Sequence, residues 1–243
     1  MDNSQDSLNK TYNYIQGLRA KGHKYGNYPV YNVTKEDLGA LMDLTNKYGI
    51  PFEWMVNLIN FESGRTFNPA IQNSIGATGL IQILPSTARG IGTTTDELKK
   101  MSFQQYLKYL DKYLYSMLKN KLINGKIPKT FTQGDLFMTI FYPVAVGKPN
   151  FVFPANVVKA NAGISKPYDY VQKALRVSVF PLSVFPYSLE DVKEVVKQGI
   201  KTQYEYTKKN WIPVTMIGLG IVGIATTLIL VANNGGFKKL FAK

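Results

Sequence analysis

The chain has 243 residues, of which 45% are hydrophobic and 13% aromatic, and it carries a formal net charge of +13. A chain of this length and composition can bury a core, so we expect it to fold rather than to remain disordered. It has no cysteine and a single histidine, His23, which excludes disulfides and thiolate or multi-histidine metal sites. His23 lies in the polar run Lys21-Gly22-His23-Lys24, which argues against a histidine-dependent catalytic triad. Acid–base chemistry must therefore use carboxylates, tyrosines or lysines, and the sequence predicts neither a metal nor another cofactor.

The positive charge is concentrated in one part of the chain. Between Leu98 and Leu189 there are thirteen Lys or Arg residues and three acids, which are Asp111, Asp135 and Asp169. Such an imbalance favours an anionic partner, such as a cell-wall polymer, a lipid headgroup or a nucleic acid. An ordinary solvated surface is the alternative. The lysines form no recognisable nucleic-acid motif, so nucleic acid ranks last among these partners.

Residues 1–33 are polar and contain scattered glycines, which predicts a short helix and loops in an N-terminal arm. Thr34-x-x-Asp37 then has the spacing of a capping box, and it precedes apolar residues at helical intervals up to Gly49. This pattern predicts a helix from about residue 35 to residue 48, with the glycine as its C-terminal stop.

A second helix is predicted to begin at Pro51, since proline is well tolerated at a helix start. Its apolar face consists of Phe52, Met55, Val56 and Ile59. Glu62 lies three residues further along that face, in the last turn. Burial and the negative end of the helix dipole would both raise its pKa. A glutamic acid that stays protonated near neutral pH is what cleavage of a glycosidic bond needs, and an ordinary exposed glutamate is the alternative.

Further capping boxes predict the later helices. Thr94-x-x-Glu97 opens one helix, apolar residues repeat at helical spacing from Ser102 to near Gly125, and Thr132-x-x-Asp135 opens an apolar helix that Pro143 breaks. Residues 147–187 are rich in Pro, Val and Phe without clear periodicity, which predicts irregular structure. Ser188-x-x-Asp191 is predicted to begin a last helix, Leu189–Asn210.

Residues 212–232 contain 21 residues without a charge, long enough as a helix to cross the ~30 Å hydrocarbon layer of a membrane. Basic residues flank this segment on both sides, so the positive-inside rule leaves its orientation open. The N-terminus lacks the apolar segment of a cleavable secretory signal.

Three short motifs follow one another in the middle of the predicted domain: Glu62-Ser63, then Gly76-Ala77-Thr78-Gly79-Leu80-Ile81-Gln82, then Pro85-Ser86-Thr87-Ala88. The two glycines permit close backbone approach, and the Gln82 amide offers both a donor and an acceptor to a sugar. Together the motifs resemble the signature of the soluble lytic transglycosylase family, and three linked motifs are far more specific than one. The resemblance covers residues 36–150.

The resemblance implies an α+β fold, predominantly α: a lysozyme-like domain with a small β-hairpin region beside a cleft. It implies cleavage of the MurNAc-GlcNAc β-1,4 bond of peptidoglycan with formation of 1,6-anhydroMurNAc. Glu62 would be the catalytic residue, first as acid and then as base. The implied substrate-binding residues are Ser63, Gly79, Leu80, Gln82 and Tyr142, although the Ser63 hydroxyl has the simpler possible role of capping the helix end.

The third motif of that family, usually Ala-Tyr-Asn-Ala-Gly, is altered here to Phe141-Tyr142-Pro143-Val144-Ala145-Val146-Gly147. Tyr142 matches the family tyrosine, and its phenol is predicted to hydrogen-bond near Glu62. A half-buried aromatic with an exposed hydroxyl is the alternative. Pro143 replaces the family's asparagine, which removes one expected sugar contact.

The predicted organisation has six parts. These are a polar arm (1–33), a lysozyme-like domain (34–150), an irregular extension (151–187), a juxtamembrane helix (188–210), a transmembrane helix (211–232) and a basic tail (233–243). A wall-cutting domain with a C-terminal anchor and no secretory signal favours a membrane-anchored protein of a phage particle, located in a virion membrane or otherwise virion-associated, that acts at the host cell envelope. The predicted partners are peptidoglycan glycan strands, a lipid bilayer crossed once, and other virion proteins. Two alternatives stay open: a hydrolytic lysozyme or chitinase, which would need a second carboxylate, and an inactive structural virion protein that grips the wall.

Overall fold

The structure, a computed structural model, describes residues 3–161 and 163–180, and all of them belong to one compact unit. The predicted juxtamembrane helix, the predicted membrane span and the basic tail lie outside the described residues. Within the described part of the chain, no helix is both long enough and apolar enough to cross a bilayer. The membrane span therefore stays a prediction.

The N-terminal segment differs from the predicted polar arm. It forms helix α1 (Asn3–Ala20), followed by a two-residue antiparallel hairpin of β1 (Lys24–Tyr25) and β2 (Tyr28–Pro29). Leu8, Ile15 and Leu18 are buried, and α1 packs against the two helices that follow. A helix needs only a few apolar residues on one side to pack against the core. The largely polar composition of residues 1–33 therefore did not indicate that α1 is part of the core.

Helices α2 (Lys35–Tyr48) and α3 (Phe52–Glu62) confirm the predicted pair. At the start of α2, Thr34 and Asp37 exchange the two hydrogen bonds of a capping box, each 3.1 Å long. Gly49 ends α2 with a left-handed φ of 68°, a conformation that glycine adopts without strain. The four apolar residues predicted for the inner face of α3 are all buried.

The next elements are α4 (Pro85–Gly90), α5 (Thr95–Leu98), α6 (Phe103–Leu118), α7 (Gln133–Phe141) and a 3-10 turn at Pro143–Ala145. The predicted capping boxes at Thr94 and Thr132 are both present. Helix α6 ends at Leu118 rather than near Gly125. A tight turn follows, in which Ile123 and Lys126 exchange backbone hydrogen bonds and Asn124 and Gly125 have positive φ.

Irregular structure was predicted for residues 151–187, and the described part of that range contains two helices. They are α8 (Ala155–Ala160) and α9 (Pro167–Leu175). In α9 the side chains of Tyr170, Val171 and Ala174 are buried, and the helix packs against α3 and α7. Helices of six and nine residues contain too few turns for a periodic pattern to stand out between prolines.

The described fold is therefore mostly helical with a small β component, as predicted. The regular hairpin, however, lies in the N-terminal segment. The region around Gly76 and Gly79 contains only isolated bridges, Gln72–Thr78 and Thr78–Ile83. Helix α3 is central, because it contacts α1, α2, α7 and α9, and its last residue is Glu62.

Candidate active site

Glu62 ends the central helix at a point where the carboxyl is largely enclosed. Its side chain keeps some exposure to solvent, whereas the next residue, Ser63, is fully buried. Burial raises the pKa of the Glu62 carboxyl from 4.5 to about 7, and a hydrogen bond from Tyr170 acts in the opposite direction. A carboxyl with this pKa can both give and accept a proton near neutral pH. This behaviour agrees with the sequence-based expectation for Glu62.

Tyr170 of α9 supplies the phenol that binds this carboxyl, and its O–H donates to Glu62 Oε1. The ring is held by stacking on Phe141, with ring centroids 4.1 Å apart, and by an edge contact with Phe61 at 5.3 Å. Burial and the neighbouring Glu62 charge raise the pKa of Tyr170 well above its usual range. The phenol therefore remains a neutral hydrogen-bond donor.

Two more tyrosines, both on α6, lie close enough for the Glu62 charge to raise their pKa values. Burial is the main cause in each case, and the pKa of Tyr113 rises to about 12. The Tyr113 phenol donates to the carbonyl of Thr139 at 2.9 Å, and the Tyr106 phenol donates to the carbonyl of Thr78 at 3.1 Å. Neutral aromatic side chains thus surround the carboxyl, which explains its desolvation.

Tyr106 also connects the carboxyl to the segment of residues 75–82, which we call the glycine-rich loop. Its phenol donates to the carbonyl of Thr78 in that loop, and the backbone amides of Leu80 and Ile81 partly offset the rise in its pKa that burial causes. A Cβ atom on Gly79 would lie 2.1 Å from the Tyr106 ring, and Gly79 has a φ of +84°. Only glycine can occupy this position without displacing the ring. The loop therefore packs directly against Tyr106, one of the tyrosines whose pKa the Glu62 charge raises.

The residues predicted to bind substrate have different positions in the structure. Ser63 and Leu80 are 0% exposed, so their side chains are enclosed by the fold, and substrate binding by these two residues stays a prediction. Ser63 Oγ instead accepts a 3.0 Å hydrogen bond from the amide of Phe67 and holds the turn after α3, the simpler role considered for it. Gln82 is half-buried, and its Nε2 donates to the carbonyl of Gly79 at 3.1 Å.

Tyr142 is not the phenol that contacts Glu62, which corrects the prediction. Its ring lies against Phe151 and Phe153, with centroids 5.6 Å and 5.3 Å away. Helix α7 ends immediately before it, and Pro143 begins a 3-10 turn that directs the chain elsewhere. Tyr170 was missed because it lies 108 residues from Glu62 in the chain. The Lys166-Pro167-x-Asp169 helix start was the local signal that could have indicated an ordered element there.

A segment after α9 is tied to the helix that carries Glu62. Asn57 Oδ1 accepts hydrogen bonds from the amides of Val179 and Phe180 at 2.9 Å and 3.0 Å, and its Nδ2 donates to the carbonyl of Phe180 at 3.1 Å. Asn60 donates to the carbonyl of Val177. Two buried carboxamides on α3 thus bind the backbone of residues 177–180. This attachment holds α9, and with it Tyr170, against α3.

Residues 41–120 match the Transglycosylase SLT domain family. The comparisons with curated proteins and with solved structures gave no match. At the level of the family, the SLT match supports an activity of the lytic transglycosylase type on peptidoglycan.

The SLT match contains Glu62, the glycine-rich loop and both α6 tyrosines. Tyr142 and Tyr170 lie beyond its end. The part of the site contributed by α9 is therefore identified by the structure and not by the family match. In the described residues, no group of three or more His, Asp or Glu side chains could hold a metal ion.

Proposed function

We propose that the chain is a lytic transglycosylase that cleaves the MurNAc-GlcNAc β-1,4 bond of peptidoglycan and forms 1,6-anhydroMurNAc. The observation that carries this proposal is the enclosed Glu62 carboxyl with a pKa of about 7 and a phenol donating to it. It lies within the segment that matches the SLT family.

In the proposed reaction the protonated Glu62 gives its proton to the glycosidic oxygen as the bond to C1 of MurNAc breaks. The resulting carboxylate then accepts the proton of the C6 hydroxyl of the same sugar, whose oxygen bonds to C1. Tyr170 stabilises the carboxylate between these steps by donating to it. One carboxyl thus serves as acid and base, and no water is consumed.

This one-carboxyl scheme fits the surroundings of Glu62 better than a two-carboxylate hydrolysis does. In the described residues, the influences on the pKa of Glu62 are burial and Tyr170, and no second carboxylate contributes. A nearby acid that activates water would raise the pKa of Glu62 by charge repulsion.

The decisive experiment compares digestion of purified sacculi by the wild type and by Glu62→Gln. We expect the substitution to lower the rate by a factor of about 10² to 10⁴, because the amide cannot give or accept the proton. Glu53→Gln, at the start of the same helix, is the matched control and should remain active. Mass spectrometry should find 1,6-anhydro ends in the product, and reducing ends would indicate a hydrolase instead. Equal clearing by wild type and Glu62→Gln would remove the carboxyl from catalysis.

The cellular setting is also part of the proposal. The uncharged segment 212–232 would anchor the enzyme in a membrane, and wall cleavage during phage entry is the role we propose for such a protein. Reconstitution into liposomes followed by protease treatment would test the anchor, since a spanning segment leaves a protected fragment. Complete digestion of the C-terminal region would contradict it.

A further inference from the structure

The described domain has a basic surface that the proposed catalysis does not use. Its residues, which we call the basic face, are exposed lysines on the outer side of α6 and in the turn after it: Lys108, Lys112, Lys119, Lys121, Lys126 and Lys129. Between Lys112 and Asp135 the sequence contains no acidic residue. The surface therefore carries a concentrated positive charge.

The single acid among these lysines does not offset that charge. Asp111 already binds Lys47, whose Nζ lies 2.7 Å from its carboxylate, and accepts a 2.6 Å hydrogen bond from the hydroxyl of Tyr48. Lys47 neutralises Asp111, so all six lysines of the basic face remain without a carboxylate partner within this stretch. Charge of one sign favours a partner with the opposite sign.

Two apolar side chains project from the same surface. Tyr115 is 58% exposed and Ile123 is 64% exposed. Ile123 lies in the tight turn closed by its own backbone hydrogen bonds to Lys126, and the amide of Ile127 fixes this turn to the carbonyl of Tyr48 at 2.8 Å. A rigid turn thus presents an aliphatic side chain between Lys121 and Lys126. An exposed isoleucine would gain little from contact with a polysaccharide or a nucleic acid, whereas it can insert into the apolar part of a lipid surface.

The basic face points away from Glu62. Tyr106 and Tyr113, two turns apart on α6, are buried and lie near enough to Glu62 for its charge to raise their pKa values. Lys108, Lys112 and Lys119 lie roughly 100–160° around the helix from them, at about 100° per residue. A partner bound to the basic face would therefore leave the surroundings of Glu62 accessible.

We propose that the basic face docks on an anionic phospholipid bilayer, with the lysines at the headgroup phosphates and with Ile123 and Tyr115 in the interface. Lysines near a membrane surface are attracted to anionic lipid, and apolar tips enter the headgroup boundary. Docking does not depend on catalysis. If the proposed function is correct, docking also turns the active site away from the lipid and towards the wall.

The absence of cysteine makes a direct test possible. The full chain with Ile123→Cys, labelled with an environment-sensitive fluorophore, is reconstituted into vesicles of phosphatidylglycerol and phosphatidylcholine, or of phosphatidylcholine alone. We expect a blue shift of the label only with anionic lipid, and a smaller shift at high salt. A label at Ile75→Cys, 70% exposed in the glycine-rich loop, should show no shift.

Charge reversal provides the matched comparison. Lys119→Glu with Lys121→Glu should reduce the lipid-dependent shift at least about fivefold. Lys21→Glu with Lys24→Glu changes the net charge equally on the N-terminal side and should leave the shift intact. Both variants should digest sacculi normally in detergent, so a failure of docking and a failure of catalysis are distinguishable. A shift that is equal in both vesicle types, absent from both, or produced only by sacculi or DNA would overturn the proposal.

Discussion

The Glu62 carboxyl experiences two opposing influences. Enclosure by Tyr106, Tyr113 and Tyr170 removes water and favours the neutral acid, while the hydrogen bond from Tyr170 favours the carboxylate. The balance leaves the pKa at about 7. Neither influence alone would serve a group that must first give and then accept a proton.

The raised pKa has a measurable effect on stability. Below pH 4.5 the carboxyl is protonated in both the folded and the unfolded chain, so its burial costs little. As pH rises from 4.5 through about 7, the unfolded chain loses its proton first, and folding becomes less favourable by up to about 3 kcal/mol. We expect Glu62→Gln to unfold at a higher temperature than the wild type at pH 8 but not at pH 4. Glu36→Gln is the control, because the pKa of Glu36 is lowered and its effect has the opposite sign.

Tyr170→Phe removes the hydrogen bond that lowers the pKa of Glu62. We expect the alkaline limb of the pH profile of kcat/KM to move upwards, and the maximal rate to fall about tenfold because the carboxylate loses a charge-assisted hydrogen bond. Tyr168→Phe, an exposed tyrosine of the same helix, should leave the profile unchanged. An alkaline limb at the same pH in Tyr170→Phe and wild type would contradict the assigned contact.

At the scale of the elements, the site depends on where α3, α6 and the glycine-rich loop meet. Capping boxes define the starts of α2, α5, α6 and α7, and each box satisfies amides that have no partner inside the helix. The position of the loop depends instead on the contact of Gly79 with the Tyr106 ring. Residues within one turn of each helix therefore determine where the helix begins, whereas packing against a distant side chain determines the position of the loop.

The contact of Gly79 with the Tyr106 ring predicts that adding a single methyl group at position 79 lowers the stability of the fold considerably. In Gly79→Ala the new Cβ would overlap the Tyr106 ring, and the positive φ would add strain, so we expect the free energy of unfolding to fall by at least about 3 kcal/mol. Gly39→Ala, in the interior of α2 with no atom within 4 Å of the added Cβ, should be neutral or stabilising by about 0.5–1 kcal/mol. Urea denaturation of both variants measures the difference, and equal midpoints would refute the contact.

Over the whole described domain, residues far apart in the chain complete the site. The N-terminal hairpin packs over the turn after Glu62, where the ring of Tyr25 fills the space beside Gly64 and His23 hydrogen-bonds to the Gly64 carbonyl at 2.9 Å. From the other end, residues 163–180 bring Tyr170 to the carboxyl. The described domain is thus larger than the segment that matches the SLT family.

The attachment through Asn57 predicts coupling between residues 177–180 and catalysis. Asn57→Ala removes three hydrogen bonds, so we expect faster amide hydrogen exchange at Val179 and Phe180 and a lower rate of sacculus digestion as Tyr170 loses its support. Asn156→Ala, an exposed residue of α8, is the control. Unchanged exchange at Val179 and Phe180 would show that the attachment does not depend on Asn57.

The amino-acid sequence by itself determined the helix pair around Glu62, the capped starts of the later helices and the candidate acid. These features rest on local spacing, because caps, glycine stops and apolar faces act over a few residues. The three motifs around Glu62 also predicted the family that residues 41–120 match.

Tertiary structure alone decided which tyrosine contacts the acid. Tyr142 and Tyr170 are equally capable donors, and nothing local distinguishes them. Packing turns Tyr142 towards Phe151 and Phe153 and seats Tyr170 at Glu62. The same holds for Ser63 and Leu80, which the fold buries. Contacts between residues a hundred positions apart depend on how whole helices pack. The packing is determined by many core side chains together, so no single sequence motif predicts such a contact.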